Sequence, residues 1–322
     1  MKAFVYGANG AALTEIDKPK PTGTQVLIHV RACGMNRADL GMIAGHVHGA
    51  AGGPGTVLGM EFAGEVAELG PEAKNVKVGD RVMASGSGGY AEYALTDHGR
   101  LLQIPAGMSF EDAATLPIAL STMHNAVVTV GGLQGGQSVL VQGASSGVGL
   151  MAMQIARLKG AKLVIGSSTD AAKRARLSEY GADLAIDSND KGWVGQVLKA
   201  TDGKGVDLII DQVSGKLVNQ NLAATKVLGR IVNVGRLGGT HGDVDFDLHA
   251  ARRISYIGVT FRTRTIEEIR DIFTGIKADI WPAAETGRLK LPIARVFPFN
   301  EIADAVAFMS ANRHFGKIVL KL

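Results

Sequence analysis

The stretch Val139-Leu-Val-Gln-Gly-Ala-Ser-Ser-Gly-Val-Gly149 constrains this chain more than any other. A helical pattern follows it, then the apolar run Leu163–Gly166 and the pair Ser167-Ser168. Strand, small-residue turn, helix and second strand together make a βαβ unit. Val139–Gln142 delivers the chain to a turn where larger side chains would obstruct a pyrophosphate. Ala144, Ser146 and Gly149 fall on the three small-residue slots of a G-x-G-x-x-G/A fingerprint, with Gly147 as a further small position. Gly143 to Gly149, with Ser145 and Val148 between, would therefore turn backbone N–H groups and a helix N-terminus toward the phosphates of a dinucleotide. A glycine-rich turn without a ligand is the bland alternative, and the βαβ context on both sides argues against it.

About 20 residues beyond such a loop, an NAD enzyme offers Asp or Glu to the ribose 2′-OH. Here Gly166-Ser-Ser-Thr-Asp-Ala-Ala-Lys-Arg174 offers the hydroxyls of Ser167 and Ser168, then the cations Lys173 and Arg174. A 2′-phosphate wants donors and positive charge, and a carboxylate there would repel it. The reading is NADPH. Asp170 stands two positions on as an alternative helix cap, and Lys173 and Arg174 also fit a solvated helix face.

At 322 residues the chain exceeds one ordinary hydrophobic core. Residues 1–120 read as short strands with Gly/Pro punctuation, among them Gln25–Arg31, Gly64–Leu69, Asp80–Ala84 and Ala91–Leu95. Asn36–Met42 and Phe110–Thr115 carry the helical signals there. From about Leu116 strands and helices alternate, which predicts a parallel sheet over 121–261. Its helices are expected at Gly149–Lys159, Asp170–Tyr180, Trp193–Lys199 and Leu217–Lys226, and its last strand at Tyr256–Phe261. Residues 262–322 complete the first domain. The fold class is thus α/β, a β-rich domain plus a doubly wound parallel sheet.

A single cysteine, Cys33, allows no internal disulfide and no thiolate zinc cage. No run of about 18 apolar residues predicts a membrane span. The first residues read as strand rather than as a secretion signal, so a cytoplasmic location is expected. Net charge is +4 without a dense Lys/Arg block, which makes a nucleic-acid face unexpected.

Five motifs in order resemble the medium-chain dehydrogenase/reductase superfamily. They are Cys33-Gly-Met-Asn-Arg-Ala-Asp39, Gly59-Met-Glu-Phe-Ala-Gly64, Val78-Gly-Asp-Arg-Val82, the 143–149 loop and Gly316-Lys-Ile-Val-Leu320. The likeness is to its zinc-free quinone oxidoreductase branch, the zeta-crystallin-like proteins. It implies a GroES-like catalytic domain, a Rossmann domain and a homodimer joined through Rossmann sheet edges. It also implies that Asn36 lies near the nicotinamide and the substrate carbonyl, Thr122 near the nicotinamide ribose, and Gly316 and Lys317 over the cofactor. An amide closing a turn is the alternative for Asn36, and ordinary strand entry the alternative for Gly316 and Lys317. Gly235-Arg236 follows a strand at the sheet edge where ligands bind, which suits a nicotinamide-side contact. Arg262 and Arg264 follow the last strand and face either the substrate or solvent.

Zinc relatives carry Cys and His-Glu where this chain has Asn36 and Met60-Glu61. An amide and a thioether are poor Zn²⁺ ligands. His46-x-His48 is the one close histidine pair, in a glycine-rich loop, and no metal is expected. Hydride addition to a quinone or conjugated enone gives a delocalised anion that hydrogen-bond donors can stabilise. The expected activity is therefore NADPH-dependent, zinc-independent reduction of a quinone or enone, with Asn36 and Arg262 as catalytic candidates. Tyrosines common in the family are replaced here by Gly41 or Val47 and by Ser188, so no phenolic proton donor is evident; His46, His48 or water are the candidates left. Two rivals stand beside this reading: an enoyl-thioester or 2-alkenal reductase, and an NADPH-binding structural or RNA-associated protein.

Overall fold

Runs of β-branched and aliphatic residues build the parallel sheet. Ser138–Gln142 and Val206–Asp211 are buried almost throughout, as strands covered on both faces must be. The computed structural model, which describes every residue except His48, Ala50 and Ala51, places six such strands side by side. Their order is Leu184–Ile186, Leu163–Ser167, Ser138–Gln142, Val206–Asp211, Thr225–Asn233 and Ser255–Gly258, all parallel. Chain order reverses beside Ser138–Gln142, and that reversal is where open α/β sheets bind ligands. Leu140, Ile165, Trp193, Val197, Ile209, Leu222 and Ile231 form the core of this unit, residues 122–260.

Residues 1–121 and 261–322 form the other unit. Its main sheet has seven strands, six of them in the order Ile293–Pro298, Lys317–Lys321, Gln25–Gly34, Glu61–Leu69, Arg81–Ser85 and Leu101–Gln103, with Tyr93–Asp97 also paired to Gln25–Gly34. Lys317–Lys321 is thus stitched antiparallel to Gln25–Gly34, which brings the end of the chain beside its first motif. Phe4, Val26, Ile28, Phe62, Val82, Tyr90, Phe297 and Ile318 are among its core residues.

Local differences from the sequence reading have physical causes. The helix expected over 170–180 is split into Ala171–Ala175 and a tighter turn Leu177–Tyr180 that ends at Gly181, where φ is +98°. The helix expected to run to Lys226 stops at Ala224, where strand Thr225–Asn233 begins; that strand pairs with Val206–Asp211 through a register shift, with Leu228 at φ +62°. The last parallel strand ends at Gly258 rather than Phe261. Helix Pro117–Met123, its π-helical continuation His124–Thr129, and helix Phe246–Arg252, capped by Asp245, carried no strong sequence signal.

Candidate functional site

The turn after Ser138–Gln142 is held open by its own hydrogen bonds. Gly143 takes φ +72°, its N–H donates to Ser167 Oγ at 3.0 Å, and the Ala144 N–H donates to the Ser167 carbonyl at 2.8 Å. Ser146 caps helix Gly147–Leu158, accepting the Gly149 N–H at 3.1 Å. A Cβ on Gly149 would lie 2.6 Å from the Gly143 carbonyl oxygen and 2.7 Å from Ala144 Cα. Only glycine lets the helix close on the strand. First-turn N–H groups of a helix lack intrahelical acceptors, so this end suits an anion, and Gly147 and Val148 belong to that turn.

The two serines after Leu163–Gly166 have different jobs. Ser167 Oγ donates to Gln142 Oε1 at 2.6 Å while accepting from Gly143, so it braces the loop from within. Ser168 Oγ donates to Ser145 Oγ at 3.1 Å, tying the end of the second strand to the middle of the loop. Arg174 Nη1 lies 2.7 Å from the Ser168 carbonyl and 3.1 Å from Asp187 Oδ2. Asp170 Oδ1 accepts the Lys173 N–H at 2.9 Å, capping the short helix that carries Lys173 and Arg174. Its carboxylate is occupied as a cap.

A buried polar chain runs along the ends of the strands. Gln142 Nε2 donates to Asn221 Oδ1 at 2.9 Å, and Asn221 Nδ2 to Asp211 Oδ2 at 3.0 Å. The amides of Val213 and Ser214 both donate to Asp211 Oδ1 at 2.9 Å. Burial nevertheless pushes the Asp211 carboxyl up. Ser214 sits at φ 58°, ψ −149°, a region that normally takes glycine. It is pinned there by Asn233 Nδ2, which donates to its hydroxyl, and by its own bond to the Gly235 carbonyl at 2.7 Å. Gly235 is required where it stands, because a Cβ would meet the Gln212 carbonyl oxygen at 2.7 Å. A cavity of about 390 Å³ opens here, lined by Ser214, Asn233, Arg236, Val244, Phe246 and Tyr256 among others. Tyr256 is a phenol the sequence reading missed; its hydroxyl lies 3.4 Å from Asn233 Nδ2, and burial, then the Asp211 charge, raise its pKa. The strand around it looked like a plain sheet edge, so no local signal marked it.

In the other unit, Asn36 is the N-cap residue of helix Arg37–Ile43. Its side chain bonds a buried ion pair: Nδ2 donates to Glu61 Oε1 at 2.9 Å, and Lys317 Nζ donates to Asn36 Oδ1 at 2.9 Å and to Glu61 Oε1. Glu61 Oε2 accepts the Ile118 N–H at 2.8 Å. Gly316, at φ +88° and against the Pro292 carbonyl, turns the chain so that Lys317 points inward. Arg262 instead lines a polar cavity of about 300 Å³ with Arg37, Met42, His46 and Val47. Asn36 is not in that lining, although its neighbour Arg37 is. Arg264 lies 3.8 Å from Glu268 and beside the Phe261 ring. Thr122 is half-buried on helix Pro117–Met123.

Beneath Asn36, Asp39 is fully buried. Its Oδ2 accepts the Tyr90 hydroxyl at 2.5 Å and the Asn36 N–H at 2.7 Å. Burial pushes the Asp39 carboxyl up to about 7, against the pull of those two bonds. Between the ordinary value of 3.8 and about 7 the folded chain holds more protons than the unfolded one. This group's stabilisation is therefore complete below the lower value and is lost as pH rises through the upper one. The span corresponds to on the order of 4 kcal/mol. Asp39→Asn is expected to remove that slope; denaturant midpoints of both proteins across the interval would show it, and parallel pH profiles would contradict it.

The donors do not fit a zinc ion. Among the described residues no three His, Cys, Asp or Glu side chains converge. Cys33 is buried with its thiol donating to the Gly89 carbonyl at 2.7 Å, and burial pushes its pKa up. His46 shares its cavity with two guanidiniums, which repel a cation. His48 lies outside the described residues. In the dinucleotide loop, by contrast, Gly149 lets the helix N-terminus pack directly on the backbone of Gly143 and Ala144, which leaves its first-turn N–H groups to face an anion.

Comparison with known proteins agrees with both halves. The alcohol dehydrogenase GroES-like domain matches residues 22–106, and the zinc-binding dehydrogenase domain matches residues 147–275. A phenolphthiocerol/phthiocerol polyketide synthase polypeptide from Mycobacterium tuberculosis is 29% identical over 96% of the chain, which spans only 14% of that protein. The solved structure of CurK enoyl reductase matches with a TM-score of 0.86 at 25% identity, covering 99% of each chain. Quinone oxidoreductase from Homo sapiens is 32% identical over 314 residues, covering 96% of this chain and 92% of that one. With its two-part fold and its small-residue loop, the chain belongs to the quinone oxidoreductase (zeta-crystallin-like) branch of the medium-chain dehydrogenase/reductase superfamily.

Proposed function

We propose that this chain is an NADPH-dependent reductase that passes a hydride to a quinone or conjugated enone without a metal. The observation that carries the cofactor is the Ser168 and Arg174 arrangement, donors and a cation at the ribose end of a loop that only glycine closes. NADPH, when bound, supplies the hydride. Gly143 to Gly149 take the pyrophosphate, Ser145, Ser168, Lys173 and Arg174 the 2′-phosphate, and Gly235 and Arg236 the nicotinamide side. Thr122 takes the nicotinamide ribose. Asn36 donates a hydrogen bond to the acceptor's carbonyl oxygen as negative charge develops there. A quinone or enone spreads that charge, so it manages without a Lewis acid where a simple ketone does not.

A homodimer through the free edge strand Ser255–Gly258 fits the apolar residues exposed beside it, with Phe246 75% and Tyr256 41% exposed. No helix among the described residues is long and apolar enough to cross a membrane. A cytoplasmic enzyme with one buried thiol suits that reading.

One observation favours enoyl thioesters as acceptors. The cavity of Arg37, His46 and Arg262 has no carboxylate among the described residues of its lining and suits the phosphate of a phosphopantetheine arm. Titrating NADPH and NADH, then running 1,4-benzoquinone against crotonyl-CoA, tests both points. The expected result is NADPH binding at least about 30-fold tighter, with the quinone preferred; preference for the thioester transfers the assignment to enoyl reduction, and equal affinity for the two cofactors contradicts it.

A further inference from the structure

Asn36, Glu61 and Lys317 come from three distant motifs and meet as a closed triangle of hydrogen bonds. Glu61 is wholly buried and Lys317 is 5% exposed. An ammonium has only donors and a carboxylate only acceptors. The orientation of the Asn36 amide is therefore dictated chemically, with Oδ1 on Lys317 and Nδ2 on Glu61. Glu61 cannot swing away, because Ile118 N–H holds its other oxygen at 2.8 Å. A buried ion pair is weak evidence for stability, since desolvation offsets much of its attraction. The pair's retention is better explained by what it does to the amide between its members.

We propose that Lys317 and Glu61 are positioning residues that lock Asn36, leaving its second Nδ2–H as a fixed donor for the acceptor's carbonyl oxygen. An amide nitrogen has two hydrogens, and the triangle uses one. Lys317 on Oδ1 draws electron density from the amide and makes the remaining N–H a stronger donor. A preset donor costs no reorganisation as charge develops, whereas a freely rotating amide must first be ordered. Lys317 thereby moves from the cofactor contact that the family resemblance implies to a part acting through Asn36. This inference rests on the functional reading above.

Removing Lys317 alone would strand a buried carboxylate and endanger folding, so the informative protein is the neutral pair Lys317→Met/Glu61→Gln. Two readouts are taken on it, on Asn36→Ala and on the triple combination. In turnover with NADPH and a quinone, the double variant is expected to lose about 100-fold in kcat while its NADPH Kd changes by less than about threefold. Asn36→Ala should lose a similar factor, and the triple variant no more than either, because all three act as one unit. In amide NMR, the Asn36 side-chain protons, identified by their absence in Asn36→Ala, should exchange at least about 10-fold more slowly in the native chain than in the double variant.

Full kcat in the folded double variant, with Asn36→Ala impaired, overturns the lock. Full kcat in Asn36→Ala overturns it as well. A chain that reduces no acceptor defeats the functional reading instead, and the NMR arm then decides alone: equal exchange in both proteins overturns the lock, and lost protection upholds it.

Discussion

Gly149→Val is expected to weaken NADPH binding by at least about 100-fold, a loss of about 2.7 kcal/mol. The reason is contact with backbone rather than with movable side chains. A Cβ at this position meets the Gly143 carbonyl oxygen, Ala144 Cα and the Ala144 carbonyl carbon, all within 2.8 Å. Helix Gly147–Leu158 must then back away from strand Ser138–Gln142, and the first-turn N–H groups leave the phosphates with it. Overpacking of this kind costs about 1–3 kcal/mol of stability as well. Gly149→Ala, the smaller change, should show the same direction with a milder effect. A fluorescence titration of the folded variant reads the loss directly, and a Kd within about threefold of the native value would contradict the loop assignment.

Ser168→Asp should reverse the choice between the two cofactors. The hydroxyl beside Ser145 would become a carboxylate in the proposed 2′-phosphate site, and it would also compete for Arg174, whose guanidinium already spans the Ser168 carbonyl and Asp187. NADPH loses a donor and gains a repulsive charge, whereas NADH gains an acceptor for its ribose hydroxyl. NADPH affinity should fall by about 100-fold and NADH affinity should hold or rise. The ratio of the two Kd values is the measurement. A ratio that does not move would place the 2′-phosphate elsewhere.

Much of this architecture was readable from local pattern. Short runs with an apolar centre such as Ser138–Gln142 are parallel strands buried on both faces, and Gly143 to Gly149 spells its own turn chemistry. Ser167 and Ser168 looked alike in sequence, yet Ser167 bonds Gln142 and Gly143 while Ser168, one residue past the strand end, bonds Ser145. What local pattern could not carry is pairing at a distance. Glu61 and Lys317 lie 256 positions apart, and Asp39 and Tyr90 lie 51 apart. Glu61 entered the sequence argument as the residue beside a missing zinc ligand, and only the antiparallel pairing of Lys317–Lys321 with Gln25–Gly34 makes it the partner of a lysine. Tyr256 was missed for a related reason: Asn233 sits on another strand and Ser214 in the turn that follows Val206–Asp211.

Metal-free hydride transfer is tested by NADPH oxidation with chelator-treated protein whose metal content has been determined. With 1,4-benzoquinone or 9,10-phenanthrenequinone as acceptor, the predicted result is steady consumption of NADPH that added Zn²⁺ does not increase. NADPH bound but unconsumed across quinones and small enones, or consumption that appears only when Zn²⁺ is restored, would contradict the account.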